Sequence, residues 1–402
     1  MENLKRYILQ NWHKTVRETP PGSLPQSARL IPLPRPYTVP SIDTHFQEMY
    51  YWDTYFTNRG LMLSGMTAQA VDNLENFIYL INTYGYIPNG NNKSLLNRSQ
   101  PPFFGKMLSD VYAKTGDKPL LLRGAQALER EYAFWQTRRR APNGLNYYDT
   151  DADEARLLRA VDMYRARTGI SHSGNLLYWG KNILAEAESG WDFCARFEGK
   201  CREYNAVDLN ALLYFDERFL AFAEQELGLG NGEEWRKRAE TRLALMRQYM
   251  LGEDGVYYDY SYVEEKRSPL KSAASFFPPF VGILPPEQGI DALLSALELP
   301  FGLQAAEPSP MGSLQWGDQN AWACLQLVAV EGLLQCGRAE DALRIATKFV
   351  GAVERTFLQS GKLFEKYNAE KGNADAVSEY GTPEMMGWTA GVYLALCKKL
   401  EK

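Results

Sequence analysis

The chain has 402 residues, 45% hydrophobic and 23% charged, a globular composition that excludes a collagen-like or disordered chain. Its 44 Lys and Arg against 49 Asp and Glu give a net charge of −5, the wrong sign for a nucleic-acid or anionic-membrane binder. Aromatics are abundant (9 Trp, 24 Tyr, 18 Phe) while histidines number three, so no metal or other cofactor is expected and carboxylates are the expected acids and bases.

The first residues mix charge with apolar side chains and offer no uninterrupted apolar core for a signal peptide, which predicts a cytoplasmic location. No run of apolar residues is long enough to span a membrane. Residues 1–40, with prolines at 20, 21, 25, 32, 34, 36 and 40 in an extended stretch, read as an N-terminal arm packed on a domain comprising residues 41–402. Helical periodicity dominates that domain. Leu121, Ala125, Leu128, Tyr132 and Trp135 form one apolar stripe, preceded by the cap and turn residues Asp117 and Pro119. Leu212, Phe215, Phe219 and Phe222 form a second; Ala342, Ile345, Ala346, Phe349, Val353 and Phe357 form a third. About ten to twelve such segments are readable, and strand-like alternation is scarce, best at residues 255–260. No repeat of solenoid period appears, so a toroid of paired helices lining one cavity is the expected all-α architecture. The five cysteines lack CxxC spacing and read as buried free thiols, with Cys194 and Cys201 the one pair close enough for a small disulfide loop.

Five segments resist a helical-stripe reading because they mix aromatics with carboxylates, amides and glycine. They are FQEMYYWDTY at 46–55, YIPNGN at 86–91 with NRSQPPFF at 97–104, ESGWDF at 188–193 with VDLN at 207–210, QWGDQNAW at 315–322, and FEKY at 364–367 with Glu379, Tyr380 and GWT at 387–389. Aromatic faces stack on a pyranose and planar polar groups take its hydroxyls, so together they predict a sugar site. Each alone has a plainer explanation: an aromatic core knot around Asp53, a helix cap at Asp208, a surface ion pair at Glu365. Glycoside hydrolysis needs two carboxyls, one protonated by an apolar setting and one ionised. Asp192, between Trp191 and Phe193, suits the acid; Glu365 or Glu379 suits the base.

These motifs, in order from about residue 40 to 395, resemble the trehalase family, glycoside hydrolase family 37, and its relatives in family 63. The resemblance implies an (α/α)6 barrel and a metal-free inverting α-glycosidase with Asp192 as general acid and Glu365 as general base. It matches Phe46, Tyr50, Trp52, Asp53, Asn89, Arg98, Gln100, Trp316 and Glu379 to sugar-pocket positions; Trp191 and Trp388 fall in the same aromatic clusters. The chain departs from the pattern at His45, where arginine is usual, at Gly317, where an aspartate is usual, and in residues 155–173, which replace a loop before the acid. His45, Arg165, Arg167 and His172 are therefore candidates for an altered leaving-group subsite. The expected substrate is a small α-glucoside, best represented by trehalose. The alternatives are a glucosylglycerate or mannosylglycerate hydrolase, a non-catalytic sugar-binding toroid and, more remotely, a lyase or phosphorylase.

Overall fold

Two kinds of helix build the molecule, those apolar on every side and those apolar along one stripe, and the difference decides which ring each joins. The computed structural model describes residues 2–312, 314–317, 319–378 and 381–401. Its helices are α1 (Glu2–Asn11), α2 (Tyr51–Leu63), α3 (Thr67–Tyr84), α4 (Phe104–Thr115), α5 (Lys118–Arg138), α6 (Glu154–Thr168) and α7 (Leu176–Ser189). They continue with α8 (Val207–Glu226), α9 (Glu233–Tyr249), the single turn α10 (Phe277–Phe280), α11 (Glu287–Leu297), α12 (Ala323–Gln335), α13 (Ala339–Ser360) and α14 (Gly387–Leu400). The inner ring runs α2, α4, α8, α10, α12, α14 and back to α2, each packed on the next. Around it α3 lies on α2 and α4, α5 on α4 and α8, α9 on α8, and α13 on α12 and α14. This is an (α/α)6 barrel. Its β structure is confined to short ladders, such as Asn320–Trp322 against Lys366–Asn368.

The inner helix α12 is buried from Ala323 through Val330 without a break, whereas the outer α13 buries only Ala342, Ile345, Ala346, Phe349, Val353 and their row. The stripe expected on α5 is likewise buried along its length. The one on α8 differs. Because α8 is an inner helix, it is buried all round from Val207 to Tyr214, and Phe222 at its outer end is 44% exposed beside Tyr112. Residues 2–11 are helical and join the barrel core through Leu4 and Ile8; the extended course begins at Val16–Arg17, which pairs with Tyr37–Thr38. Residues 155–173, expected as a loop, are mostly α6. With α7 this helix forms a hairpin that has its own small core of Leu157, Val161, Tyr164, Leu184 and Phe193. All five cysteines are free thiols, Cys194 and Cys201 included.

The ring closes where its first and last helices cross. A Cβ on Gly60 of α2 would stand 2.5 Å from the Gly391 backbone, and one on Gly391 of α14 would stand 2.0 Å from the Phe56 carbonyl oxygen. Trp12 fills the adjoining space, fully buried. Two helix backbones approach this closely only through glycine. Gly391→Ala therefore forces the crossing apart and should cost roughly 1–3 kcal/mol in urea unfolding, whereas Gly351→Ala on the outer helix α13, with open space around it, should not destabilise.

Candidate active site

Short loops and first helical turns at one end of the barrel surround a cavity of about 500 Å3, a size suited to a small ligand. Trp52 and Asp53 come from the first turn of α2, Trp322 caps α12 and Trp388 opens α14, so the partial positive ends of these inner helices meet at the cavity. Two reciprocal caps hold this arrangement. The Gln100 side chain accepts from the Trp52 backbone N–H at 3.2 Å, satisfying a free donor of α2, while the Tyr51 hydroxyl accepts from the Phe104 N–H at 3.0 Å at the start of α4. Asn89, on the same loop as Gln100, donates to the carbonyls of Ser99 (3.3 Å) and Ala187 (3.2 Å), tying that loop to α7.

The floor is tryptophan. Trp316 and Trp322 stack in parallel at 3.7 Å, with Trp52 5.6 Å from Trp316 and Trp388 edge-on to both Trp52 (5.9 Å) and Trp322 (5.7 Å). Gly190 ends α7 in a left-handed conformation (φ 76°) and sets its chain against the Trp52 indole, where a Cβ would come within 2.9 Å.

Among the described residues, three carboxyls face this space. Asp192 emerges just beyond α7, with its side chain 34% exposed and its Oδ2 3.9 Å from Arg167. Burial pushes its carboxyl up to about 6; Glu365 adds to the rise, against Arg167 and Arg98. Glu365 is buried and ion-paired to Lys366 at 2.6 Å, and that ammonium lies 4.7 Å above the Trp322 ring. Asp53, 8% exposed, is pushed up to about 7 by burial and then by the charges of Glu365 and Asp192. Burial lowers the Arg98 guanidinium to about 10, the neighbouring Arg156 adding to the fall.

Of the expected residues, the cavity gathers Phe46, Tyr50, Trp52, Asp53, Asn89, Arg98, Gln100, Arg167, Asp192, Trp316, Glu365 and Trp388. Trp191 is not on it. That ring is wholly buried behind the floor, between Trp316 (5.1 Å) and the Arg196 guanidinium (4.3 Å). Three of the four leaving-group candidates also miss it. His45 is mostly exposed and bound to Asp43 at 3.1 Å. Arg165 points to solvent beside Asp162, on the face of α6 opposite the cavity. His172, half-buried, stacks on Trp179 at 4.1 Å beside the small core of the hairpin. Glu379 lies outside the described residues, as do Tyr380 and Asp318. Asp208 and Asn210 are supports, Asp208 bridging to buried Arg196 and Asn210 bonding Asn146 and Arg242.

The sequence reading missed Arg156, Arg159 and Met163, which line the cavity with Ala160 and Arg167. Their three- and four-residue spacing marks one helical face, a signal available only once residues 155–173 are read as a helix. Among the described residues no three or more His, Cys, Asp or Glu side chains are grouped to hold a metal ion, and no helix is long and apolar enough to cross a membrane.

Carboxyls set among tryptophans and arginines at the helix-start end of an (α/α)6 barrel define a carbohydrate-hydrolase site. A model of the trehalase family matches residues 1–401, and the chain belongs to that family of glycoside hydrolases. It is 36% identical to a periplasmic trehalase of Pseudomonas aeruginosa, over 98% of this chain and 76% of that protein. It is 33% identical to a periplasmic trehalase of Xanthomonas oryzae, over 98% and 72%. The fold is shared with the neutral trehalase of Saccharomyces cerevisiae (TM-score 0.84, 24% identity, 99% of this chain and 94% of that one). It is shared less closely with a family 63 mannosylglycerate hydrolase from Thermus thermophilus (TM-score 0.64, 18% identity, 98% and 99%). These relatives correct one expectation: the cytoplasmic location inferred from the first residues is overturned by curated relatives named periplasmic trehalases.

The buried Asp53 has a cost that pH exposes. Its carboxyl keeps its proton to about 7 in the folded chain against an ordinary value of 3.8, so the folded state loses stability relative to the unfolded as pH rises from about 4 to 7. Asp53→Asn removes that loss. Its stability should gain on the wild type across this range, by at most about 4 kcal/mol, and the gain should level off above it. Denaturant unfolding at pH 4.5, 6 and 8 checks this; an offset that does not change with pH would contradict it.

Proposed function

We propose that this chain is an inverting α-glucosidase of the trehalose-hydrolysing type, with Asp192 as general acid and Glu365 as general base. The observation that carries the reading is the pair itself. Two carboxyls from separate segments face one tryptophan-floored cavity, one with a raised proton affinity and one held in an ion pair. Asp53 has the higher proton affinity of the two raised carboxyls, but it sits deep beside Trp52, where it can bind sugar hydroxyls; Asp192 is the more open and can reach a glycosidic oxygen. In the proposed sequence the glucosyl ring lies on Trp316 and Trp52, held by Asp53, Arg98 and the cavity-lining amides. Asp192 gives its proton to the departing oxygen while Glu365 takes one from a water attacking the opposite face of the ring. An inverting pair leaves room for that water by standing about 6.5–9.5 Å apart. Phe46, Tyr50 and Trp388 complete the wall around the sugar, Glu379 is assigned to the same pocket from the sequence, and residues 1–40 form an arm packed on this catalytic barrel. The named relatives support trehalose as the substrate.

Asp192→Asn and Glu365→Gln should each lower kcat by roughly 10²–10⁴-fold on trehalose while thermal unfolding stays near that of the wild type. Near-native turnover in either variant would overturn the assignment. Proton NMR of fresh product should show one β- and one α-glucose per trehalose cleaved; α-glucose alone would mean retention. With Asp192 required in its protonated form, kcat/KM should decline as pH rises through about 6.

A further inference from the structure

The overall chain is acidic, yet one wall of the cavity is not. Four guanidinium groups, those of Arg98, Arg156, Arg159 and Arg167, line it. The carboxylates of the cavity do not answer them evenly. Glu365 is engaged by Lys366 at 2.6 Å, and Arg167 lies 3.9 Å from Asp192. Among the described residues Arg156 donates only to a backbone oxygen, that of Ser94, and its charge works against that of Arg98. Arg159 makes no ion pair or hydrogen bond among the described residues, and the buried Nε of Arg98 has no acceptor. Arg156 is half-buried and Arg159 exposed, and because like charges set close together repel, an anion entering among them is favoured.

Arg156, Arg159 and Arg167 stand on a different element from the sugar floor. Arg156, Arg159, Met163 and Arg167 recur at three- and four-residue steps along α6, on the hairpin that packs as a separate small core, while the tryptophans belong to the barrel. A substrate whose cleaved ring lies on the floor would direct its leaving group toward α6. We infer that Arg156 and Arg159 form an anion subsite, which takes a phosphate or carboxylate carried by the leaving group of an α-glucoside. Guanidinium forks match the paired oxygens of either group, and a cleft of one sign also draws such a substrate in. The inference rests on the glucosidase reading for which ring is cleaved, and it narrows the substrate class of that site.

The test compares trehalose, trehalose 6-phosphate and glucosylglycerate as substrates, and separately measures their binding by calorimetry. At low ionic strength the wild type should favour at least one anionic sugar over trehalose by about tenfold in kcat/KM and in affinity, and added salt should shrink that preference. The double variant Arg156→Gln/Arg159→Gln should bring the ratio close to one, whereas Arg156→Lys/Arg159→Lys should keep part of it. Preference for the phosphate ester or for the glycerate identifies the anion. A wild-type ratio near one, or a ratio unaltered in the Gln variant, overturns the subsite. If no glucoside is hydrolysed, the glucosidase reading fails by itself; calorimetry then still decides the subsite, upheld by tighter binding of an anionic sugar that the Gln variant loses and overturned by equal binding.

Discussion

The cavity depends on one buried ion pair. Arg139, near the end of α5, reaches Glu188 on the last turn of α7 with two hydrogen bonds of 2.9 and 3.1 Å, both side chains removed from solvent. Taking two charges out of water is expensive and is offset only when the remaining lone pairs are also used. Here they are: Glu188 accepts from the Ser99 N–H at 2.8 Å and the Asp149 N–H at 2.7 Å. A single carboxylate thus fixes the end of α7, from which Asp192 follows, and the loop that carries Arg98 and Gln100. Gln100 in turn caps α2, where Trp52 and Asp53 begin. Position is transmitted from one buried charge through short covalent links to Asp192, Arg98, Gln100 and Asp53 at the cavity.

A second buried arginine does the same from behind the floor. Arg196 bridges Asp208 at 3.0 Å and Asp259 at 2.8 Å, and lies flat beneath Trp191, which backs Trp316. The tryptophan floor is therefore supported by a fully paired charge rather than by loose apolar packing, which limits the rotamers its rings can take. Around this centre the barrel supplies the field. Inner helices begin at the cavity, and their N-terminal ends favour negative charge there. Desolvation acts in the opposite direction on Asp53 and Asp192, raising both carboxyls. A site that must hold one proton donor near neutral pH needs that opposition, and the fold bears it as lost stability.

The α6–α7 hairpin packs as a unit of its own. Its core is separate from that of the barrel, and the side chains it adds to the cavity are arginines and aliphatics rather than the tryptophan floor. The close backbone contact at which the ring closes, at Gly60 and Gly391, belongs to the barrel and not to the hairpin.

Helical periodicity and the scarcity of strand alternation were enough to predict an all-α toroid, and the aromatic–carboxylate motifs, with the family resemblance they carry, named most of what lines the cavity, because short motifs carry their own geometry: Trp52 and Asp53 are one turn of one helix, and Arg98 and Gln100 share one loop. Properties that depend on distant neighbours were not legible. Trp191 sits in a sugar-like motif, but Arg196 and Trp316 enclose it. His45 and His172 are rare residues where the chain departs from the family pattern, yet Asp43 holds one at the surface and Trp179 stacks on the other away from the cavity. Arg156 and Arg159 gave no motif at all and reach the cavity only because the face of α6 that carries them turns toward it. The sequence by itself determined helix, motif and residue type, which are local. Tertiary structure decided which side chains share one desolvated space, since burial and charge pairing are set by residues far apart in the chain.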